Sequence, residues 1–199
     1  MKSNTCQIKN GTKGLAAILN ESEKVAEYNG LTHKQNLQLR LLCEEIDGML
    51  PNIVEKYEGT LWIEFEDGIC KINVSIESSE FDSDKKEELI GISKNKKNAV
   101  TVGIVGKIRN AIKNFFLNHD TALAFATASE NFYFAPEYSM GVDCTYLWSL
   151  EQYRNSVKKE EQAEAWDELE KSVIASVADD VIVGVKGNQA NITIVKKFA

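Results

Sequence analysis

Apolar residues recur along this chain with two periods, one helical and one strand-like, and stretches of each kind alternate. From Thr12 to Tyr28, Leu15, Ile18, Leu19, Ser22, Val25 and Ala26 fall at helical spacing, which predicts an amphipathic helix facing a core. Asn29-Gly30 stops it, because both residues tolerate the left-handed backbone of a helix end. Thr32 and Gln35 form a Thr-x-x-Gln capping box that starts a second helix. Along it Leu39, Leu42, Ile46, Met49, Leu50, Ile53 and Tyr57 follow one face. Leu37 and Leu41 widen that face, predicting a largely buried helix. Pro51 removes a backbone donor inside the pattern, so a kink or an end is expected near Asp47-Gly48. A short strand over residues 4–9 precedes both helices.

Between residues 60 and 76 the period changes to two. TLWIEFE and ICKINVSI alternate apolar and polar positions around Asp67-Gly68, a pair suited to the positive φ angles of a type I′ turn. An antiparallel hairpin follows, with Leu61, Ile63, Phe65, Cys70, Ile72, Val74 and Ile76 on the core face. Residues 77–98 are charged, with one short helical candidate at 83–92. Ile104, Ile108, Ile112, Phe115 and Phe116 then predict a helix ending near Asn118. The segment 119–147 is aromatic without a sustained period. Ser149 and Gln152 match a capping box again, and helix signals continue to about Val177. DVIVGVK and QANITIVKK, joined by Gly187-Asn188, make a second hairpin.

Strand, helix, helix, hairpin, helix, helix, hairpin is an order that suits an α/β fold of the two-layer α+β sandwich kind, with helices over one face of a mostly antiparallel sheet. A doubly wound parallel sheet is excluded, because the sharp turns pair neighbouring strands directly. A chain of 199 residues, 43% hydrophobic and 27% charged, is expected to form one domain over 1–199, with 119–178 as an insertion. The net charge of -7 has the wrong sign for a nucleic-acid binder, and only Lys94, Lys96 and Lys97 cluster. No apolar leader and no run of 18 apolar residues is read, so neither export nor membrane insertion is expected and the cytoplasm is the expected compartment. Cys6, Cys43, Cys70 and Cys144 lack CxxC spacing and read as buried small hydrophobes.

The element order and the passages GLTHKQNLQLRLLCEEIDGMLPNI, TLWIEFEDGICKINVSIES, VTVGIVGKIRNAI and DDVIVGVKGNQANITIVKK together resemble the GHKL superfamily of ATPases, in particular its anti-sigma-factor kinase branch. The resemblance covers residues 1–118 and the last twenty or so, and implies a Bergerat-like sandwich. In that family the second helix carries an acid that orients water and, four residues on, an asparagine that holds Mg²⁺. An Asp-x-Gly-x-Gly box binds adenine, and a glycine-rich turn opens a helix whose amides meet phosphate.

The chain departs from that pattern at most of these places. Four residues beyond Glu44 stands Gly48, and four beyond Glu45 stands Met49, neither an oxygen donor for Mg²⁺. Asn52 lies seven residues after Glu45, on a different side of the helix and past the expected kink. Where the adenine box belongs the chain reads SIESSEFDSD, which leaves Asp82 as a tentative substitute. Gly103-Ile-Val-Gly106 precedes a strong helix with Lys107 beside it; close helix–sheet packing explains these glycines better than phosphate binding does. Glu44 and Glu45, adjacent on a helix, cannot face one another as an acid–base pair. His33 and His119 are too far apart, and too poorly spaced, to hold a metal. Asp179-Asp180 reads first as a turn, and no GxSxG elbow is present. Two functions follow as expectations. The preferred one is a catalytically inactive GHKL-like domain that acts as a homodimer or on a regulatory protein partner. The alternative is an active ATP-binding protein or serine kinase, with Glu45, Asn52, Asp82, Gly103 and Gly106 as shifted ligands.

Overall fold

A computed structural model describes residues 1–10, 14–78, 103–117, 145–157, 167, 169–186 and 188–198. The predicted α+β architecture is present: six strands form one antiparallel sheet with helices packed on it. In chain order the strands are β1 (Cys6–Lys9), β2 (Glu58–Glu66), β3 (Ile69–Glu77), β4 (Thr145–Ser149), β5 (Asp180–Lys186) and β6 (Gln189–Lys197). The helices are α1 (Leu15–Tyr28), α2 (His33–Ile53), α3 (Ile104–Leu117), α4 (Leu150–Ser156) and α5 (Val173–Val177). Across the sheet the order is β1-β2-β3-β6-β5-β4, every neighbouring pair antiparallel.

The first hairpin forms as its turn chemistry predicts. Asp67 (φ 49°) and Gly68 (φ 77°) take the positive angles, and Glu66 pairs with Ile69. The second hairpin links β5 and β6, with Lys186 opposite Gln189. In the middle of the sheet the registers Ile63–Ile72, Ile72–Ile194 and Val183–Ile192 line up one apolar face. That face meets α1, α2 and α3 in a single buried cluster that includes Ile18, Val25, Leu42, Ile46, Ile108 and Ile112. At Gly59 a side chain has no room, since a Cβ there would stand 2.1 Å from the Ser75 carbonyl oxygen. Cys6, Cys43 and Cys70 are buried free thiols, as their apolar settings imply. Burial pushes the Cys70 thiol up to about 12.

Four expectations need correction. Helix α2 does not end at Asp47-Gly48; it runs on to Ile53. Pro51 sits in the last turn on the exposed side, where the bond it forfeits costs least, and Val54 N–H still closes onto the Leu50 carbonyl at 3.1 Å. Nor is α2 the largely buried helix expected, because Leu37, which was to widen its buried face, is 52% exposed. The helical signals after Ser149 do not form one helix: α4 stops at Val157, whose backbone is extended, and Ser172 is an extended N-cap that restarts the chain as α5. The end of the aromatic segment, read as having no period, supplies β4, the sheet's edge strand, with a register shift between Tyr146 and Trp148. The remainder of 119–147 lies outside the described residues, as does the helical candidate at 83–92.

Candidate functional site

Helix α2 carries most of the polar residues singled out in the sequence, and its two flanks differ. On one flank Arg40 reaches α1, where its Nη1 donates to Glu23 Oε1 at 3.1 Å. Its Nε donates to Glu44 Oε1, one turn on, also at 3.1 Å. Glu44 is therefore held on the α1 side by a half-exposed ion pair rather than offered to a ligand. Glu45, five residues beyond Arg40, lies about 140° further round, and Asn52 about 120° round, at 100° per residue. Both thus lie well round the helix from the residue that reaches α1, and α2 packs besides on α3 and α5.

This placement corrects the expectation that Asn52 sits on a different side from Glu45. In an unbroken helix seven residues are two turns less about 20°, so the two residues share one stripe, about 10 Å apart along the axis. The Asn52 side chain is tied to its own helix, with Nδ2 donating to the Gly48 carbonyl at 3.2 Å. Gly48 and Met49 divide the two intermediate positions: Gly48 is exposed with open space around it, and Met49 is in the core. Asp47 is half-buried, and burial raises its carboxyl above the ordinary range. Burial likewise raises the Tyr57 phenol, with the Asp47 charge adding to the effect.

Gly103 opens α3 with φ +89°, a conformation that glycine supplies at no steric cost, and nothing lies within 4 Å of where its Cβ would be. The Lys107 amide bonds the Gly103 carbonyl at 3.1 Å. Gly106 is buried, as its packing reading requires, and Lys107 is exposed. The Lys107 ammonium stands 5.3 Å from the centroid of the Tyr153 ring, and that ring rests against Trp148 with centroids 6.0 Å apart. Tyr153 of α4, backed by Trp148 of β4, thus stands beside the exposed cation next to the α3 start. Asp82 and His119 lie outside the described residues, and His33 is an exposed residue in the first turn of α2.

Three features went unread in the sequence. Glu21 is buried on α1 and holds the first strand in place, accepting from the Asn4 amide at 3.0 Å and from Asn4 Nδ2 at 3.2 Å. The Lys24 hydrogen bond, first, and those from Asn4 hold its carboxyl below the ordinary range against the effect of burial. Asp180, read as a turn, is a buried first residue of β5. On the sheet face away from the helices, Gln7, Glu58, Thr60, Ser75, Glu77 and Gln189 line a shallow depression of about 230 Å³. Glu58 and Glu77 oppose one another there, one paired with Lys9 and the other accepting from Gln189 Nε2 at 2.6 Å. Alternation alone would place these residues on a solvated face, which leaves no signal for a concavity.

Among the described residues no group of three or more His, Cys, Asp or Glu is disposed to hold a metal ion. No helix among them is long and apolar enough to cross a membrane. Comparison with known proteins gives no match: no family model, no curated protein and no solved structure matches the chain.

Proposed function

We propose that this chain is a catalytically inactive GHKL-like domain that acts in the cytoplasm by binding, as a homodimer or on a regulatory protein partner. The GHKL part of this reading rests on the sequence passages that resemble the family. The inactive part rests on one observation: three candidate ligands are engaged within the chain. Glu44 pairs with Arg40, Asn52 with the Gly48 carbonyl, and Lys107 with the Tyr153 ring. Three unpaired buried thiols suit a reducing compartment.

Mg²⁺, which the family implies together with ATP, does not fit Glu45 and Asn52 of α2. Mg²⁺ requires its oxygen ligands at about 2.0–2.1 Å in near-octahedral array. Glu45 and Asn52 stand about 10 Å apart along the helix, and both side chains tilt toward its N-terminus, so the gap is maintained. One ion cannot be ligated directly by both.

The alternative, an active nucleotide-binding protein or serine kinase, keeps one observation in its favour. Glu45 and Asn52 share one stripe of α2, a helix that packs on α3, and Gly103 opens α3. Calorimetric titration with Mg-ATP and with ADP separates the two readings. Saturable heat at millimolar nucleotide would overturn the inactive reading, and none is expected. Light scattering across micromolar concentrations tests the homodimer form, which predicts twice the monomer mass of 22.3 kDa.

A further inference from the structure

Helix α2 carries two leucines on the side turned away from the core. Leu37 and Leu41 stand two residues either side of Leu39, which is fully buried, so each lies about 160° round the helix from it. Leu37 is 52% exposed, one of three large apolar side chains left exposed among the described residues, and Leu41 is half-buried. Gly48 continues the stripe, exposed and with nothing within 4 Å of where a Cβ would stand. The two leucines that the sequence reads as widening a buried face thus form an apolar strip on its far side.

Polar residues flank this strip in a fixed order. At 100° per residue His33 and Glu44 fall beside Leu37, and Lys34 and Glu45 beside Leu41, each within about 40° of its leucine. On both flanks the hydrogen-bond donor is at the N-terminal end and the acid at the C-terminal end. His33 and Lys34 are exposed, and among the described residues neither Lys34 nor Glu45 is in an ion pair. A parallel copy would set Lys34 against Lys34 and Glu45 against Glu45. An antiparallel copy, related by a two-fold axis level with Leu39, does the opposite. It lays Leu37 on Leu41, Lys34 beside Glu45 and His33 beside Glu44, because such an axis keeps each flank against its own copy. Gln38 and Arg40 lie nearest the axis. Gln38 is uncharged, and Arg40 is turned to α1, paired with Glu23 and with Glu44. Gly48 falls opposite Gly30 of the turn before α2, so no side chain props the helix ends apart.

We propose that a second copy of this chain docks on the stripe, α2 against α2 in antiparallel register, with Leu37 of one copy on Leu41 of the other and Lys34 of each beside Glu45 of its mate. This rests on the homodimer form of the reading above and names its surface. A two-fold contact needs a patch that complements itself, and the order of charge along this stripe supplies one. A single pair of helices covers less than the roughly 800 Å² per partner of a standard interface, so the dimer dissociates at micromolar concentration.

Sedimentation equilibrium of the full chain, from low micromolar to near-millimolar concentration, tests the contact. The wild type is expected to move reversibly toward twice its mass of 22.3 kDa. Leu37→Glu changes a side chain that one copy leaves exposed, so the fold is kept, as thermal unfolding checks, while association falls about a hundredfold or more. Lys34→Glu sets acid against acid at two places in the dimer and is expected to weaken association about tenfold; Glu45→Lys weakens it similarly. The double variant reverses both pairs and should return to within about threefold of the wild type. Lys34 and Glu45 stand about 16 Å apart along one helix, beyond the roughly 10 Å screening length of 0.1 M salt, so this rescue arises only between copies. A dimer indifferent to Leu37→Glu, or a double variant as weak as the single ones, overturns this surface and leaves the homodimer reading standing. A wild type that stays monomeric throughout overturns both, and the occupant of the stripe is then a different protein.

Discussion

Strands β2 and β3 alternate between buried residues and residues turned to solvent, whereas β5 is buried at every position from Asp180 to Val185. Both belong to one sheet and both present an apolar face to the helices. The difference lies on the other face. Beside β2 and β3 that face carries Thr60, Trp62, Glu64, Lys71, Asn73 and Ser75, none of them buried. Beside β5 and β6 it carries Ile182, Thr193 and Val195, all buried. A strand with one wet face can hold charged residues freely. A strand dry on both faces must satisfy the polar groups it carries, and Asp180 at the start of β5 takes the Glu151 and Val181 amides.

The contrast can be broken by matched substitutions on the outer face. Ile182→Ala is expected to cost about 2–5 kcal/mol of folding stability, the range for truncation in a packed core. Thr60→Ala, on the same face of the wet half, should stay within about 0.5 kcal/mol. Urea denaturation measures both, and equal costs would erase the distinction between the halves. Next in size is Gly59→Ala, where the new Cβ would press on the Ser75 carbonyl oxygen. The strands must shift to admit it, at about 1–3 kcal/mol. That cost would show that the wet half is tightly fitted in its backbone although its outer side chains are not.

Acid should distinguish the halves as well. Glu21 has a lowered pKa in the fold, so its contribution is present above the ordinary glutamate range and is lost as pH falls through the depressed value. Asp180 has a raised one and acts in the opposite sense. Glu21→Gln should therefore cost about 1 kcal/mol at neutral pH, as expected for a hydrogen-bonded charge, and little at low pH, measured by thermal unfolding across pH. A constant cost at all pH would show that the Glu21 charge contributes nothing. The smallest effect concerns Lys107→Met, which keeps the stem and removes the charge over Tyr153. An exposed cation–π contact of this kind is expected to contribute about 0.5–1 kcal/mol.

Local chemistry was legible in the sequence wherever a short-range rule decides the structure. Asp67-Gly68 dictates its turn without reference to the rest of the fold, and Thr32 with Gln35 closes the capping box as read, Thr32 N–H donating to Gln35 Oε1 at 2.9 Å. What was missed depends on tertiary context. Pro51 would break a helix in its middle but sits in a last turn, and only the packing of Met49, Leu50 and Ile53 fixes where that turn falls. Val157 and Ser172 have side chains compatible with helix, and nothing nearby in sequence marks them as extended. The burial of Glu21 and Asp180 comes from partners 17 and 29 residues away, at Asn4 and Glu151. Of the candidate ligands, the sequence supplies the residue types, but the pairing of Lys107 with Tyr153 spans elements whose contact no local pattern encodes.

The central proposal is that this chain is a GHKL-like domain that binds no nucleotide. Thermal unfolding with and without millimolar Mg-ATP tests it most directly. A ligand present at a hundredfold its dissociation constant stabilises by about 2.7 kcal/mol, which is several degrees for a domain of this size. The account predicts an unmoved transition. A rise of several degrees in the wild type, abolished by Lys107→Met, would contradict it.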